Sequence, residues 1–148
     1  MNNKYPKTLR LIHWLMVLLI TLQFAVGFFM DDDNLWQIQT HLILGISILA
    51  ITILRIGIKR AQKDQLPAKP DSLSDKEWGI AKIGHALIYL MLLITPISGL
   101  VGYYTHNHDI LEVHETLIWG LLVLIVGHVA MVPIHKIRHH QNLMTRMT

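Results

Sequence analysis

Histidine is the residue of this chain with the greatest potential for chemistry. The 148 residues include ten histidines and no cysteine. The absence of cysteine excludes disulfides, thiolate zinc sites, iron–sulfur clusters and covalently attached c-type haem. Any bound metal must therefore be held mainly by imidazole nitrogen. Two histidines, His114 and His128, end the segment HETLIWGLLVLIVGH, whose one charged residue is Glu115.

The spacing of His114 and His128 predicts two separate sites. On a helix of 3.6 residues per turn, fourteen positions return to within about 40° of the start and advance roughly 21 Å along the axis. The two imidazoles therefore share one helix face at opposite depths, and apolar residues lie between them. They cannot share one metal ion, so we expect one site at each depth.

The same offset of fourteen residues recurs on the other three apolar segments. It separates His13 from Gly27, His41 from Arg55, and His85 from Gly99. A flat macrocycle between helices requires imidazoles from two opposed helices, and a residue without a side chain where another helix meets the ring edge. We interpret the pattern as two non-covalent b-type haems stacked across the membrane. Arg55 would then reach a haem propionate, which compensates its charge.

Competing explanations of these histidines fit the pattern less well. A single intramembrane histidine is most simply hydrogen-bonded to a neighbouring helix, but five in register are not explained in this way. A structural zinc site needs four ligands in one place, and a proton relay would prefer carboxylates at intermediate depth. At the outer level His41 and His114 pair. At the cytoplasmic level His128 pairs with either His13 or His85, and spacing does not decide between them.

The elements that position these residues are predicted from hydropathy. The chain is 52% hydrophobic and 16% charged, with a mean hydropathy of +0.41, which is typical of an integral membrane protein. Four apolar segments are long enough to cross a bilayer: residues 11–30, 36–58, 83–104 and 113–134. The sequence therefore predicts an all-α membrane four-helix bundle that forms a single domain over residues 1–148.

The charges predict the orientation of the bundle. All thirteen Lys and Arg residues fall at one end of the four segments, whereas the opposite loops carry only acidic charges. These are Asp31, Asp32, Asp33, Asp109, Glu112 and Glu115. Since cytoplasmic loops are enriched in Lys and Arg, we expect both termini to be cytoplasmic. The basic residues flank apolar segments and form no separate basic domain, so nucleic acid is not an expected partner.

The other histidines are predicted to be surface groups. His106 and His108 fall in the short outer loop YYTHNHDILEV and are expected to be solvated. Three more stand beside Lys136 and Arg138, where a basic cluster would anchor the fourth helix at anionic headgroups. These three are His135, His139 and His140.

The chain resembles the bacterial cytochrome b561 family of small four-helix dihaem quinone oxidoreductases. The likeness lies in YPKTLRLIHWL, IQTHLILGISILAITILRI, IGHALIYLMLLITPISGLVGYY and VHETLIWGLLVLIVGHVAM, in this order. The resemblance implies that His13 and His128 ligate the cytoplasmic-side haem iron, and that His41 and His114 ligate the outer-side iron. It implies that His85 is not a ligand but lies near a propionate or a quinone. Lys82, one turn from His85, is a second candidate for contacting quinone.

This resemblance implies electron transfer across the bacterial inner membrane, between ubiquinone and an outer-side one-electron donor such as superoxide. The chain would then be a quinone-linked oxidoreductase with membrane lipid, quinone and the outer donor as partners. The alternative is a dihaem membrane anchor that relays electrons for a peripheral dehydrogenase or hydrogenase, and a third hypothesis is a haem-free transporter or structural bundle. A second copy of the chain and a redox protein are further candidate partners.

Overall fold

The fold consists of four long helices. The computed structural model describes residues 4–31, 33–139 and 143–148, with only the backbone of residues 139 and 143. The helices are α1 (Lys7–Phe28), α2 (Leu35–Ala61), α3 (Asp75–Thr105) and α4 (His108–His139). Two short 3₁₀ turns follow α2 and α4, at Lys63–Gln65 and Leu143–Arg146. These residues include no strand, and the prediction of an all-α four-helix bundle is confirmed.

The third helix begins well before its predicted start at residue 83. Ser74 caps it: the Glu77 backbone N–H donates to the Ser74 hydroxyl, and the Glu77 carboxylate accepts from the Ser74 backbone N–H at 2.9 Å. Such a capping box satisfies two N–H groups that no helical carbonyl can reach. The segment from Asp75 to Lys82 is therefore helical although it is charged, and the boundary drawn from hydropathy was too late.

The predicted outer loop between the third and fourth segments is almost entirely helical. α3 ends at Thr105 and α4 begins at His108, so the connection is reduced to His106 and Asn107. His106 takes a left-handed conformation, with φ of 51°, which ends α3. The Asn107 side chain accepts from the backbone N–H of Ile110 at 3.2 Å and so caps α4. His108, predicted to lie in the loop, belongs to the first turn of α4.

The core of the bundle separates the two predicted histidine levels. Successive helices pack against one another, most extensively α3 against α4 and α1 against α2. One cluster of buried side chains draws on all four helices: Ile12, Met16, Ile48, Leu92 and Leu121. Ile48 lies midway between His41 and Arg55, and Leu121 lies midway between His114 and His128. An apolar layer therefore lies between the two ends of the bundle.

The outer surface of the bundle is apolar. Each of the four helices is long and apolar enough to cross a membrane by length and composition. Large side chains on three of them face outward, with exposed fractions of 71% for Leu11, 65% for Ile43 and 71% for Val123. Such a surface is unfavourable in water and is expected of a bundle whose solvent is lipid.

Both ends of the described chain meet at one end of the bundle. The Tyr5 backbone N–H donates to the Arg146 carbonyl at 3.1 Å, and the Trp14 indole N–H donates to the Met147 carbonyl at 3.0 Å. The Arg10 guanidinium also donates to the Thr148 carbonyl. Because the Lys and Arg residues collect here, we refer to this as the basic end and to the opposite one as the acidic end.

Candidate cofactor-binding site

Two of the predicted site residues meet near the acidic end. His41 on α2 and His114 on α4 have ring centroids 6.3 Å apart, with ring planes at 89°. Both are half-buried and lie on helices that are not consecutive in the chain. The fold thus brings two imidazoles from opposed helices together at one depth.

Hydrogen bonds determine which nitrogen of each of these rings is protonated. Nδ1 of His114 lies 2.8 Å from the Thr95 carbonyl oxygen, and since a carbonyl can only accept, Nδ1 carries the proton. The Gln23 amide nitrogen lies 3.0 Å from Nε2 of His41, and since an amide NH₂ can only donate, this Nε2 accepts. Both rings therefore carry their lone pair on Nε2. Neutral imidazoles oriented in this way are suitable metal ligands.

Two glycines leave room for the same two rings. A Cβ atom built on Gly99 of α3 would lie 2.8 Å from Cε1 of His114, closer than side-chain contacts allow. One built on Gly27 of α1 would lie 3.1 Å from Cε1 of His41. The sequence predicted glycines where a helix meets the edge of a flat group. In the structure these glycines lie against the imidazoles.

Three more predicted residues gather near the basic end. His85 on α3 and His128 on α4 are in direct contact, with ring centroids 4.8 Å apart and planes at 81°. His13 on α1 is close enough to interact electrostatically with both. Nδ1 of His85 lies 2.7 Å from the Ala81 carbonyl and carries the proton there, so its lone pair is also on Nε2.

The fourth residue of this level is a buried arginine. Arg55 is 7% exposed, donates from Nε to the Tyr89 hydroxyl at 2.9 Å and donates from Nη1 to the Leu9 carbonyl at 2.7 Å. Both acceptors are neutral, and no carboxylate of the described residues forms an ion pair with it. A buried cation without a counter-ion is costly, so an anionic group would be stabilised beside it. The residues present therefore fit a cofactor that combines a metal with carboxylate substituents.

The remaining predicted positions are distributed over the surface and the interior. Lys82 is exposed on α3, one turn before His85. His135 was predicted to be interfacial, but it is only 6% exposed. The prediction was wrong because residue 135 lies two turns after His128, on the same face of α4, and is buried there. The side chain of His139 and all of His140 lie outside the described residues.

Sequence reasoning missed the polar partners of the acidic-end imidazoles. Gln23 and Thr95 were not singled out, and neither was Ser98, whose hydroxyl lies 3.3 Å from Nδ1 of His114. Of these, Gln23 alone gave a signal, as an amide side chain in an otherwise apolar helix. Within the described part of the chain, no three His, Cys, Asp or Glu side chains are grouped closely enough to hold a metal ion together, so paired imidazoles are the arrangement to explain.

Comparison with known proteins identifies the family to which this arrangement belongs. The family model of prokaryotic cytochrome b561 matches residues 4–148. The chain belongs to the prokaryotic cytochrome b561 family. It is also 31% identical over 109 residues to a protein of Yersinia pestis named probable superoxide oxidase CybB. The aligned segment covers 70% of this chain and 60% of that relative.

Membership of the cytochrome b561 family accounts for the main features of the fold. The family implies b-type haem, which is bound by imidazole and carries carboxylate substituents. Four apolar helices and the family together make this cytochrome b561 a multi-pass bacterial membrane protein. The recognition from sequence motifs is thereby confirmed.

Proposed function

We propose that this cytochrome b561 holds two non-covalent b haems and transfers electrons between ubiquinone and an outer-side one-electron donor such as superoxide. His41 and His114 would ligate the iron near the acidic end, and His13 and His128 the iron near the basic end. Haem iron supplies a one-electron redox couple. The chain supplies the ligands, the apolar surroundings and the charges that tune the couple.

The separation of His41 and His114 carries this proposal. Metal–imidazole bonds are about 2.0–2.1 Å long, so two imidazoles facing each other across one metal ion have ring centres roughly 6 Å apart. The centroids of this pair are 6.3 Å apart. Nε2 of His114 carries a lone pair, and Nε2 of His41 would exchange the Gln23 amide for the metal. The Thr95 carbonyl accepts a hydrogen bond from Nδ1 of His114. Proteins usually orient a metal-ligating histidine by a hydrogen bond of this kind.

Ring separation also favours His13 over His85 as the partner of His128. The rings of His85 and His128 are 4.8 Å apart and in direct contact, which leaves no room for a metal ion between them by the estimate above. His13 comes from α1, a different helix from that of His85, and is within electrostatic reach of His128. The resemblance of IHWL and HETL…GH to the family motifs supports the same pair.

In this proposal, Arg55 would bind a haem propionate from the position that it already occupies. Arg55 is fixed by Tyr89 and Leu9 at the level of the basic-end histidines. A propionate there would accept from its remaining N–H groups, and the charge pair would be satisfied in a medium of low dielectric. The same positive charge favours the reduced form of a nearby redox couple, because reduction adds a negative charge.

Quinone would be bound at the basic end. His85 and Lys82 are both exposed on α3, so a molecule that diffuses in the lipid can reach them. Lys82 can donate a hydrogen bond to a quinone carbonyl, and Nε2 of His85 can accept one from a quinol hydroxyl. His85 also contacts the proposed ligand His128. A quinone bound at His85 would therefore lie close to the redox centre that His128 is proposed to ligate.

The charge of the acidic end favours a second candidate function. Exposed carboxylates surround it: Asp31, Asp33, Asp109, Glu112 and Glu115. They repel small anions such as superoxide and attract cationic surfaces. This observation supports a membrane anchor that receives electrons from a peripheral dehydrogenase or hydrogenase with a basic docking face.

Spectroscopy and turnover of the purified protein test the proposal. We expect a reduced-minus-oxidised spectrum with b-type bands and two haems per chain. His41→Ala and His114→Ala should each remove the same haem. Quinone-dependent superoxide consumption by the protein alone would favour the oxidoreductase, whereas inactivity restored by a dehydrogenase would favour the anchor. One haem per chain, or different haems lost in the two variants, would contradict the ligand assignment.

A further inference from the structure

A cavity of about 500 Å³ lies between the basic end of α2 and the neighbouring part of α3. We call it the α2–α3 pocket. Its polar wall consists of Lys59, Arg60 and Lys63, and Tyr89 faces them from α3. Apolar side chains, Ile56 among them, form the rest of the wall. The pocket thus combines three positive charges with a surface that can take hydrocarbon.

The positive charges of the α2–α3 pocket have no acidic partner in the described part of the chain. The one ion pair there joins Lys69 to Asp75, at 2.6 Å. Nζ of Lys59 lies 5.6 Å from the centre of the Tyr89 ring, a cation–π distance. Asp64 is next to Lys63 in sequence but does not line the pocket. Three uncompensated cations within five residues create a strongly positive potential at the mouth of the cavity.

We propose that the α2–α3 pocket binds the headgroup phosphate of an anionic phospholipid. Basic pockets between membrane helices are suited to such headgroups, because the phosphate meets the cations at the depth where the acyl chains enter the hydrocarbon. Here Lys59, Arg60 and Lys63 bind the phosphate, and the acyl chains continue along Ile56 and the exposed apolar surface of α2. A quinone ring is neutral and would leave the three cations uncompensated, whereas free phosphate would not use the apolar wall.

Lipid binding to the purified haem-containing protein tests this site. Native mass spectrometry in detergent compares phosphatidylglycerol with phosphatidylcholine of the same acyl chains, with inorganic phosphate as a third arm. We expect phosphatidylglycerol to be retained selectively. One cation near a phosphate contributes about fivefold in affinity, so replacing all three by glutamine should weaken binding on the order of a hundredfold. Lys76→Gln, an exposed cation on α3 outside the pocket, should leave binding unchanged.

A single substitution tests the same site if the triple variant is unstable. Lys63→Gln alone removes one exposed charge and should weaken binding about fivefold, and an unchanged haem spectrum reports that the variant is folded. Equal retention of phosphatidylcholine would overturn the proposal, as would full retention of phosphatidylglycerol by the folded variants. Displacement of the lipid by millimolar inorganic phosphate would reassign the pocket to a free anion. Displacement by ubiquinone would reassign it to quinone.

Discussion

Replacing Gly99 by alanine should selectively disrupt His114, the acidic-end imidazole of α4. The new Cβ would lie 2.8 Å from Cε1, 3.0 Å from Nδ1 and 3.2 Å from Nε2 of His114. To reach ordinary contact at 3.4 Å, the ring must withdraw by about 0.6 Å from its nearest atom. The 2.8 Å bond from Nδ1 to the Thr95 carbonyl would then stretch beyond the normal range of roughly 2.7–3.2 Å.

The magnitude of the Gly99→Ala effect follows from two independent estimates. Overpacking a helix contact costs about 1–3 kcal/mol, which corresponds to roughly 5- to 160-fold in affinity. Loss of the hydrogen bond that orients a metal-ligating histidine costs about 10- to 100-fold. We therefore expect the haem proposed at His41 and His114 to bind at least tenfold more weakly. The measurement is the haem-to-protein ratio after purification, followed by titration of haem into the depleted protein.

A matched control lies on α4 itself. A Cβ on Gly127 would meet nothing within 4 Å, although Gly127 precedes the proposed ligand His128. Gly127→Ala should therefore keep the full haem content. Gly27→Ala, with a closest approach of 3.1 Å to His41, should give an intermediate loss. If Gly99→Ala retained both haems with an unchanged spectrum, His114 could not be held between Gly99 and Thr95 as described.

Five further substitutions, at four residues, address the basic end. Tyr89→Phe removes the acceptor of the buried Nε of Arg55; it should cost about 1–3 kcal/mol and lower the thermal midpoint by several degrees, with haem content unchanged in the same sample. Arg55→Gln should lower the midpoint potential of the basic-end haem by roughly 40 mV per kcal/mol of lost charge stabilisation, whereas Arg55→Lys should restore most of it in a redox titration. His13→Ala should remove one haem and His85→Ala none, as judged by absorption spectra; the opposite result would exchange the roles of these two residues.

The two levels of functional groups could be predicted from the sequence because helical geometry fixes depth. A residue's height along a membrane helix depends only on its number and a rise of about 1.5 Å. His41 and His114 therefore had to lie at one level once four apolar segments were recognised. Which side chains touch at that level depends on the rotation of each helix about its axis. Long-range packing sets this rotation, and no local pattern reports it.

The polar partners of the outer pair illustrate this limit. Hydroxyls in membrane helices usually bond to the carbonyl four residues earlier in the same helix, as Thr21, Ser47 and Thr52 do at 2.7–2.8 Å. Nothing in the sequence distinguishes these from Ser98, whose hydroxyl approaches His114 on another helix. The Thr95 carbonyl is a backbone group and carries no sequence signal at all. Gln23 was the one partner that an unusual side chain could have revealed.

The helix ends were missed for a different physical reason. Hydropathy locates where the hydrocarbon ends, but a helix continues until its backbone groups find other partners. α3 therefore begins at Asp75, where Ser74 and Glu77 form the capping box, and α4 begins at His108 after the Asn107 cap. The pattern Ser-x-x-Glu was present in the sequence and would have predicted the start of α3.

The two helix pairs share one arrangement, which accounts for the asymmetry of the basic end. In α1 and α2 the residues of the two levels run His13, Gly27, His41, Arg55; in α3 and α4 they run His85, Gly99, His114, His128. In each pair the glycine of the first helix lies against the imidazole of the second.

The pairs differ only at the last position. At the level of His13 and His128, the basic end therefore holds three imidazoles and one guanidinium instead of four imidazoles. Arg55 cannot ligate iron, and it is bound to Tyr89 and Leu9. If two of the three imidazoles ligate a metal, the third is not a ligand. His85 is the exposed member of the three and is in direct ring contact with His128, so it is the one best placed to serve a molecule arriving from the lipid.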